Sequence, residues 1–129
     1  MGISSLAIGA DQLFAEVVLR QGGALHAVLP FEGYERTFAA GAARHRYFEL
    51  LRRAASVETL PARANDEESY LAAGQRIVDL ADRMIAVWDG EKAAGLGGTG
   101  DIVEYARKVG KEVLHIDPVR RKTSTLILS

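Results

Sequence analysis

Short apolar runs alternate along this chain with segments whose apolar residues recur every three or four positions, and that order leaves few folds open. Residues 3–8, 24–29, 57–60, 84–88 and 112–116 read as strands. Leu13, Phe14, Val17 and Val18 carry a helical period that stops at Gly22-Gly23, and Tyr47, Leu50, Leu51 and Ala54 carry another within residues 42–55. Asn65 is placed as an N-cap answered by Glu68, opening a helix that reaches about Asp82 with Leu71, Ile77, Val78 and Leu80 on its apolar side. Gly74 weakens that helix where another backbone or a ligand comes close. A last helical segment ends near Val109 and is closed by Gly110. Strand, helix, strand in this order requires parallel strands joined by right-handed crossovers. The expectation is an α/β fold with a doubly wound, mostly parallel sheet covered by helices on both faces. At 129 residues and 48% hydrophobic content, residues 1–129 are expected to form a single domain. Residues 84–88 are expected to be a buried strand.

Sixteen basic and seventeen acidic residues leave a net charge of -1, so no bulk field favours nucleic acid or an anionic membrane. The run Arg120-Arg121-Lys122 is short and falls in the 119–129 tail. Without cysteine there is neither a disulfide framework nor a thiolate metal site. His26, His45 and His115 fall on separate elements without ligand spacing, so no metal and no cofactor is expected. No basic segment followed by a long apolar stretch opens the chain, and no run approaches about 20 apolar residues. A cytoplasmic protein that meets no membrane is expected.

The chemistry concentrates at one stretch, residues 96–104, which follows the apolar run 84–88 and leads into a helix. Gly97, Gly98 and Gly100 surround Thr99, so backbone N–H groups can converge on a ligand, helped by the first turn of the helix and its dipole. Phosphate suits such a loop, although a tight connection would need the same glycines. It is neither G-x-G-x-x-G nor a P-loop. Other residues at strand ends are candidates for the same rim: Gly9 and Asp11, Tyr34 and Arg36 in the loop 31–42, and Asp89 after residues 84–88. Each has a plainer reading: Asp11 as a helix cap, Tyr34 and Phe38 as pins holding the loop to the core, Asp89-Gly90 as a turn pair. Parallel strands bring their carboxyl ends together, which argues that these residues border one crevice.

Leu6-Ala7-Ile8-Gly9-Ala10-Asp11 resembles the Leu-Ala-x-Gly-x-Asp element of a Rossmann-like superfamily. That superfamily joins the "lonely guy" (LOG) phosphoribohydrolases, the DNA-processing recombination mediators and the SLOG nucleotide-sensor domains. Residues 86–90 and 97–101 resemble its second glycine element, and Pro30-Phe31 with Tyr34-Glu35-Arg36 look like pieces of its uncharacterised bacterial members; the likeness spans residues 6–118. The resemblance implies a single Rossmann-like domain that binds a nucleotide or nucleotide-derived, phosphate-containing ligand, as a sensor module. Gly9, Asp11, Tyr34, Arg36, Asp89, Gly97, Gly98, Thr99 and Gly100 would contact that ligand. The alternative is a LOG-like hydrolase cleaving the N-glycosidic bond of a nucleoside monophosphate, with Glu104 or Asp101 as acid–base residue.

The phosphoribohydrolase motif Pro-Gly-Gly-x-Gly-Thr-x-x-Glu is matched at Gly97, Gly98, Gly100 and Glu104, but Leu96 replaces its proline and Asp101 its threonine. Ala73 and Gly74 stand where its Arg-Lys pair belongs. The superfamily's usual first strand is also missing. Residues 125–128 are expected to fill that slot, beside the strand ending at Trp88, or to exchange with a second subunit in a homodimer; an added strand or a frayed tail are the other readings. Nucleic acid is disfavoured as a partner because no basic stripe with interleaved aromatics is present.

Overall fold

The computed structural model describes residues 1–88 and 98–126 and shows a mixed α/β protein with two three-stranded sheets. One sheet belongs to each of two compact units, Met1–Ala62 and Arg63–Ser129. Among the described residues there are four α-helices, and none is long and apolar enough to cross a membrane.

In the first unit, β1 (Gly2–Ser4), α1 (Ala10–Arg20), β2 (Leu25–Leu29), α2 (Ala42–Arg53) and β3 (Ser56–Thr59) follow in order. All pairing is parallel, with β2 in the middle, Gly2 opposite Leu25 and His26 opposite Ser56. The middle strand is the most buried of the three: Leu25, Ala27, Val28 and Leu29 are all buried and His26 is half-buried. α1 packs on β1 and β2 through the buried Ala15 and lies against α2. The loop after β2 makes one turn of 3-10 helix, Tyr34–Thr37, entered at Gly33 with φ 86°, a left-handed conformation that favours glycine. β3 is an edge strand with most of its residues exposed, as expected for residues 57–60.

The second unit runs α3 (Asp66–Leu80), β4 (Arg83–Val87), α4 (Thr99–Lys108), β5 (Glu112–Asp117) and β6 (Lys122–Leu126). Asn65 caps α3 as its sequence predicts, its side chain accepting the Glu68 N–H at 2.9 Å. β4 and β5 are parallel, and α4 crosses between them to pack on both strands and on α3. Val78, Ala86, Ile102, Val103, Ala106 and Val113 form the core. Gly74 marks the closest approach of α3 and α4: a Cβ built there would lie 2.3 Å from the Ile102 Cδ1.

Two expectations about this unit are corrected. β4 is paired on one side only among the described strands, and Ile85 and Val87 are 47% and 38% exposed, so it is not the buried strand expected; β2 is buried. β6 does not lie beside β4. It folds back antiparallel on the opposite side of β5, pairing Thr125 with Leu114 and Lys122 with Asp117. The turn between them is local and therefore entropically inexpensive. The Asp117 carboxylate holds it by accepting the N–H groups of Val119 and Arg120, both at 3.0 Å. Those bonds, that from Arg120 above all, hold the Asp117 carboxyl below the ordinary carboxylate range.

Candidate functional site

Both units contain a helix that follows a parallel strand. In the first, the chain leaves β1 at Ser4, four residues before the apolar run ends at Ile8. The Ser4 hydroxyl accepts the Leu6 N–H at 3.0 Å and donates to the Asp11 carbonyl at 3.3 Å. This local bond competes with the ladder and bends the backbone, and Leu6 takes φ 59° while fully buried. Ser5 donates to the Val28 carbonyl at 2.8 Å. Gly9 then reaches φ 98°, ψ -126°, which is closed to other residues, and α1 begins.

The candidates here face inward work. Asp11 sits in the first turn of α1, where its carboxylate accepts the Ala7 N–H at 3.4 Å. Burial pushes its carboxyl above the ordinary carboxylate range, with the Ala7 bond pulling the other way. Gln12, buried, donates from Nε2 to the carbonyls of Leu6 at 3.2 Å and Ala43 at 3.1 Å. The turn is thus held by Ser4, Asp11 and Gln12.

Tyr34 and Phe38 are buried and realise the pinning alternative. The Tyr34 ring meets Phe31, Phe38 and Tyr47 edge-on at 5.9, 5.2 and 5.7 Å. An exposed stacking surface is not what Tyr34 provides, because 4% of it is accessible. Burial pushes the neighbouring Tyr47 phenol up to about 12. Arg36 is exposed, its guanidinium folded over Gly33, where a Cβ would lie 3.3 Å from Nη1. It lies on a different turn from Gly9 and Asp11.

In the second unit Gly98 caps α4 in an extended conformation, φ -71° and ψ 171°, with no side-chain bond to the helix. Its carbonyl accepts from Asp101 N–H at 3.1 Å and Ile102 N–H at 3.3 Å. Thr99 and Gly100 are the first two helical residues, so their N–H groups have no carbonyl one turn earlier within α4. Thr99 is exposed; Gly98 and Gly100 are half-buried. Asp101 is half-buried in the same first turn, and Glu104 is exposed one turn from Gly100. Gly98, Thr99, Gly100, Asp101 and Glu104 therefore share one helix end. Asp89 and Gly97 lie outside the described residues.

The same unit holds a pair that its sequence did not single out. Trp88 closes β4, its N–H donating to the Ile116 carbonyl at 3.0 Å, and its ring packs against the core that Ile102 and Val103 of α4 help to build. His115 lies 5.2 Å away ring to ring, and its Nε2 is 2.6 Å from the Trp88 carbonyl. A carbonyl only accepts, so Nε2 carries the proton. The register, Ala86 opposite His115, makes this contact, and no short-range signal carries it. Among the described residues no three His, Asp or Glu side chains gather as a metal site. No family model matches this chain, and no curated protein matches it.

Proposed function

We propose that the second unit binds the phosphate of a nucleotide or nucleotide-derived ligand at the start of α4, as a sensing or binding module. The observation that carries the reading is the crossover itself. α4 joins two parallel strands and opens on Gly98, Thr99 and Gly100, with no side chain of Gly98 to occupy its first N–H groups. The dipole of a helix is positive at that end, and small residues let an anion approach the backbone. Thr99 adds an exposed hydroxyl donor. Asp101 opposes the reading, since a second negative charge in the same turn repels phosphate. Binding is therefore modest unless a cation on the ligand side offsets it.

A ligand that binds only the folded state raises its melting temperature, so a thermal-shift series with AMP, ADP-ribose and inorganic phosphate tests the proposal. Thr99→Glu separates site from scaffold. A carboxylate at this position suits the helix dipole, adding about 0.3–1 kcal/mol of stability, yet it occupies the anion's place. The variant is expected to melt no lower than the wild type and to lose the ligand shift. A shift that survives Thr99→Glu would overturn the assignment. Release of free base from AMP, abolished in Glu104→Gln, would instead support the hydrolase alternative.

A further inference from the structure

On the first unit's sheet, three side chains form a hydrogen-bonded line that the ligand reading does not use. Parallel register sets His26 of β2 opposite Ser56 of β3, and Glu58 lies two residues on, on the same face as Ser56. The His26 Nδ1 lies 2.6 Å from the Ser56 Oγ, and its Nε2 lies 3.0 Å from the Glu58 Oε1. A carboxylate only accepts, so Nε2 carries the proton and Nδ1 is left to accept from the Ser56 hydroxyl. The His26 and Glu58 side chains are 16% and 27% exposed, partly shielded from water, whereas Ser56 is exposed. An accessible hydroxyl on a base, the base held by an acid, is the arrangement of an activated nucleophile.

We propose that Ser56 is a nucleophile toward small, activated carboxylic esters, with His26 as its general base and Glu58 as the positioning residue. Ser56 Oγ bonds to the ester carbonyl carbon as the hydroxyl proton passes to His26 Nδ1. The developing oxyanion is met by water, since Ser56 is exposed. Collapse breaks the bond to the alcohol oxygen, which leaves with the Nδ1 proton. Water repeats the cycle, giving a carboxylic acid and restoring Ser56. Ser56 is exposed on the edge strand β3, and the site suits a short acyl group.

The whole chain incubated with p-nitrophenyl acetate is expected to release p-nitrophenol and to carry an acetyl group on Ser56, read by peptide mass spectrometry. A fluorophosphonate is expected to label the same residue. Ser56→Ala loses both signals, and His26→Gln slows acylation by about 10²–10⁴-fold. Glu58→Gln lowers kcat with KM unchanged, and Glu58→Asp restores part of it, a split that a merely structural role would not produce. Circular dichroism confirms that each variant folds. Acetyl found on His26 or lysine instead of Ser56, an unlabelled Ser56 in the wild type, or an undiminished rate in Ser56→Ala overturns the proposal. The fluorophosphonate result on the wild type decides even if a variant fails to fold.

Discussion

The turn after β1 and the start of α4 are built from the same parts, glycine before a helix that follows a parallel strand, and they differ in the side chains at hand. The first consumes its own polar groups. Ser4, Asp11 and Gln12 satisfy its bends, with Gln12 reaching two carbonyls from a buried position. The second begins with Gly98, Thr99 and Gly100, and Gly98 gives no side-chain cap. A glycine-bearing strand-to-helix turn is thus not a ligand site by composition alone. What separates the two is whether side chains nearby already meet the backbone donors and acceptors.

The largest way to break this contrast is to unplug the first turn. Gln12→Leu keeps the volume but leaves the Leu6 and Ala43 carbonyls without their donor, at about 1–3 kcal/mol for each group. Chemical denaturation is expected to show a clear fall in midpoint; an unchanged midpoint would mean water replaces the amide. Gly9→Ala comes next. Nothing lies within 4 Å of the added Cβ, so the whole cost is backbone strain at φ 98°, about 1–3 kcal/mol by the same measurement. A neutral result would show that the turn relaxes.

How far these differences were legible follows from range. Helices and their ends were readable because caps and periods are local: Asn65 and Glu68 announce α3, and the period of Leu13, Phe14, Val17 and Val18 announces α1. Strand neighbours were not. β2 and β4 are both five-residue, mostly apolar strands, and only long-range pairing makes one the centre of its sheet and leaves Ile85 of the other exposed. β6 chose β5 for the same reason, through a turn tied by Asp117. The apolar run 3–8 read as strand to its end because the Ser4 bond that bends it involves only one hydroxyl. At the helix end, Gly98, Thr99, Gly100, Asp101 and Glu104 were readable as a group, while the Trp88–His115 pair needed the register. Tyr34 was ambiguous by composition, and the rings of Phe31, Phe38 and Tyr47 decide it.

The second unit has its own tight place, away from the helix end. Gly74→Ala gains up to about 1 kcal/mol in helix propensity. It also drives a Cβ to 2.3 Å from the Ile102 Cδ1 and 2.7 Å from its Cγ1, an overpacking that costs about 1–3 kcal/mol. A net loss of about 1 kcal/mol is expected in thermal melts, with Gly74→Ala plus Ile102→Val recovering it. At the helix end itself, Asp101→Asn removes the like charge facing a bound phosphate. Two unit charges about 4 Å apart in water repel by about 1 kcal/mol, so affinity for AMP in calorimetry is expected to rise about fivefold. Equal affinity in both proteins would place the phosphate elsewhere.

The smallest effect is the sharpest on the contrast, because it asks whether the carboxylate in the first turn is suited to its place. Burial raises the folded-state value of Asp11, so the native turn holds a proton more tightly than the unfolded chain does. Stability from this group is fully present below the unfolded value and is lost as pH rises through the folded one. Asp11→Asn keeps an oxygen for the Ala7 N–H and removes the charge. Its melting temperature is expected to lie slightly above the wild type's at neutral pH, the gap closing in acid as the wild-type carboxyl protonates. The gap stays small because Asp11 is only half-buried and water screens it. A variant that melts lower at neutral pH would show that the ionised carboxylate holds the start of α1 through the helix dipole, the place that Asp101 takes in α4.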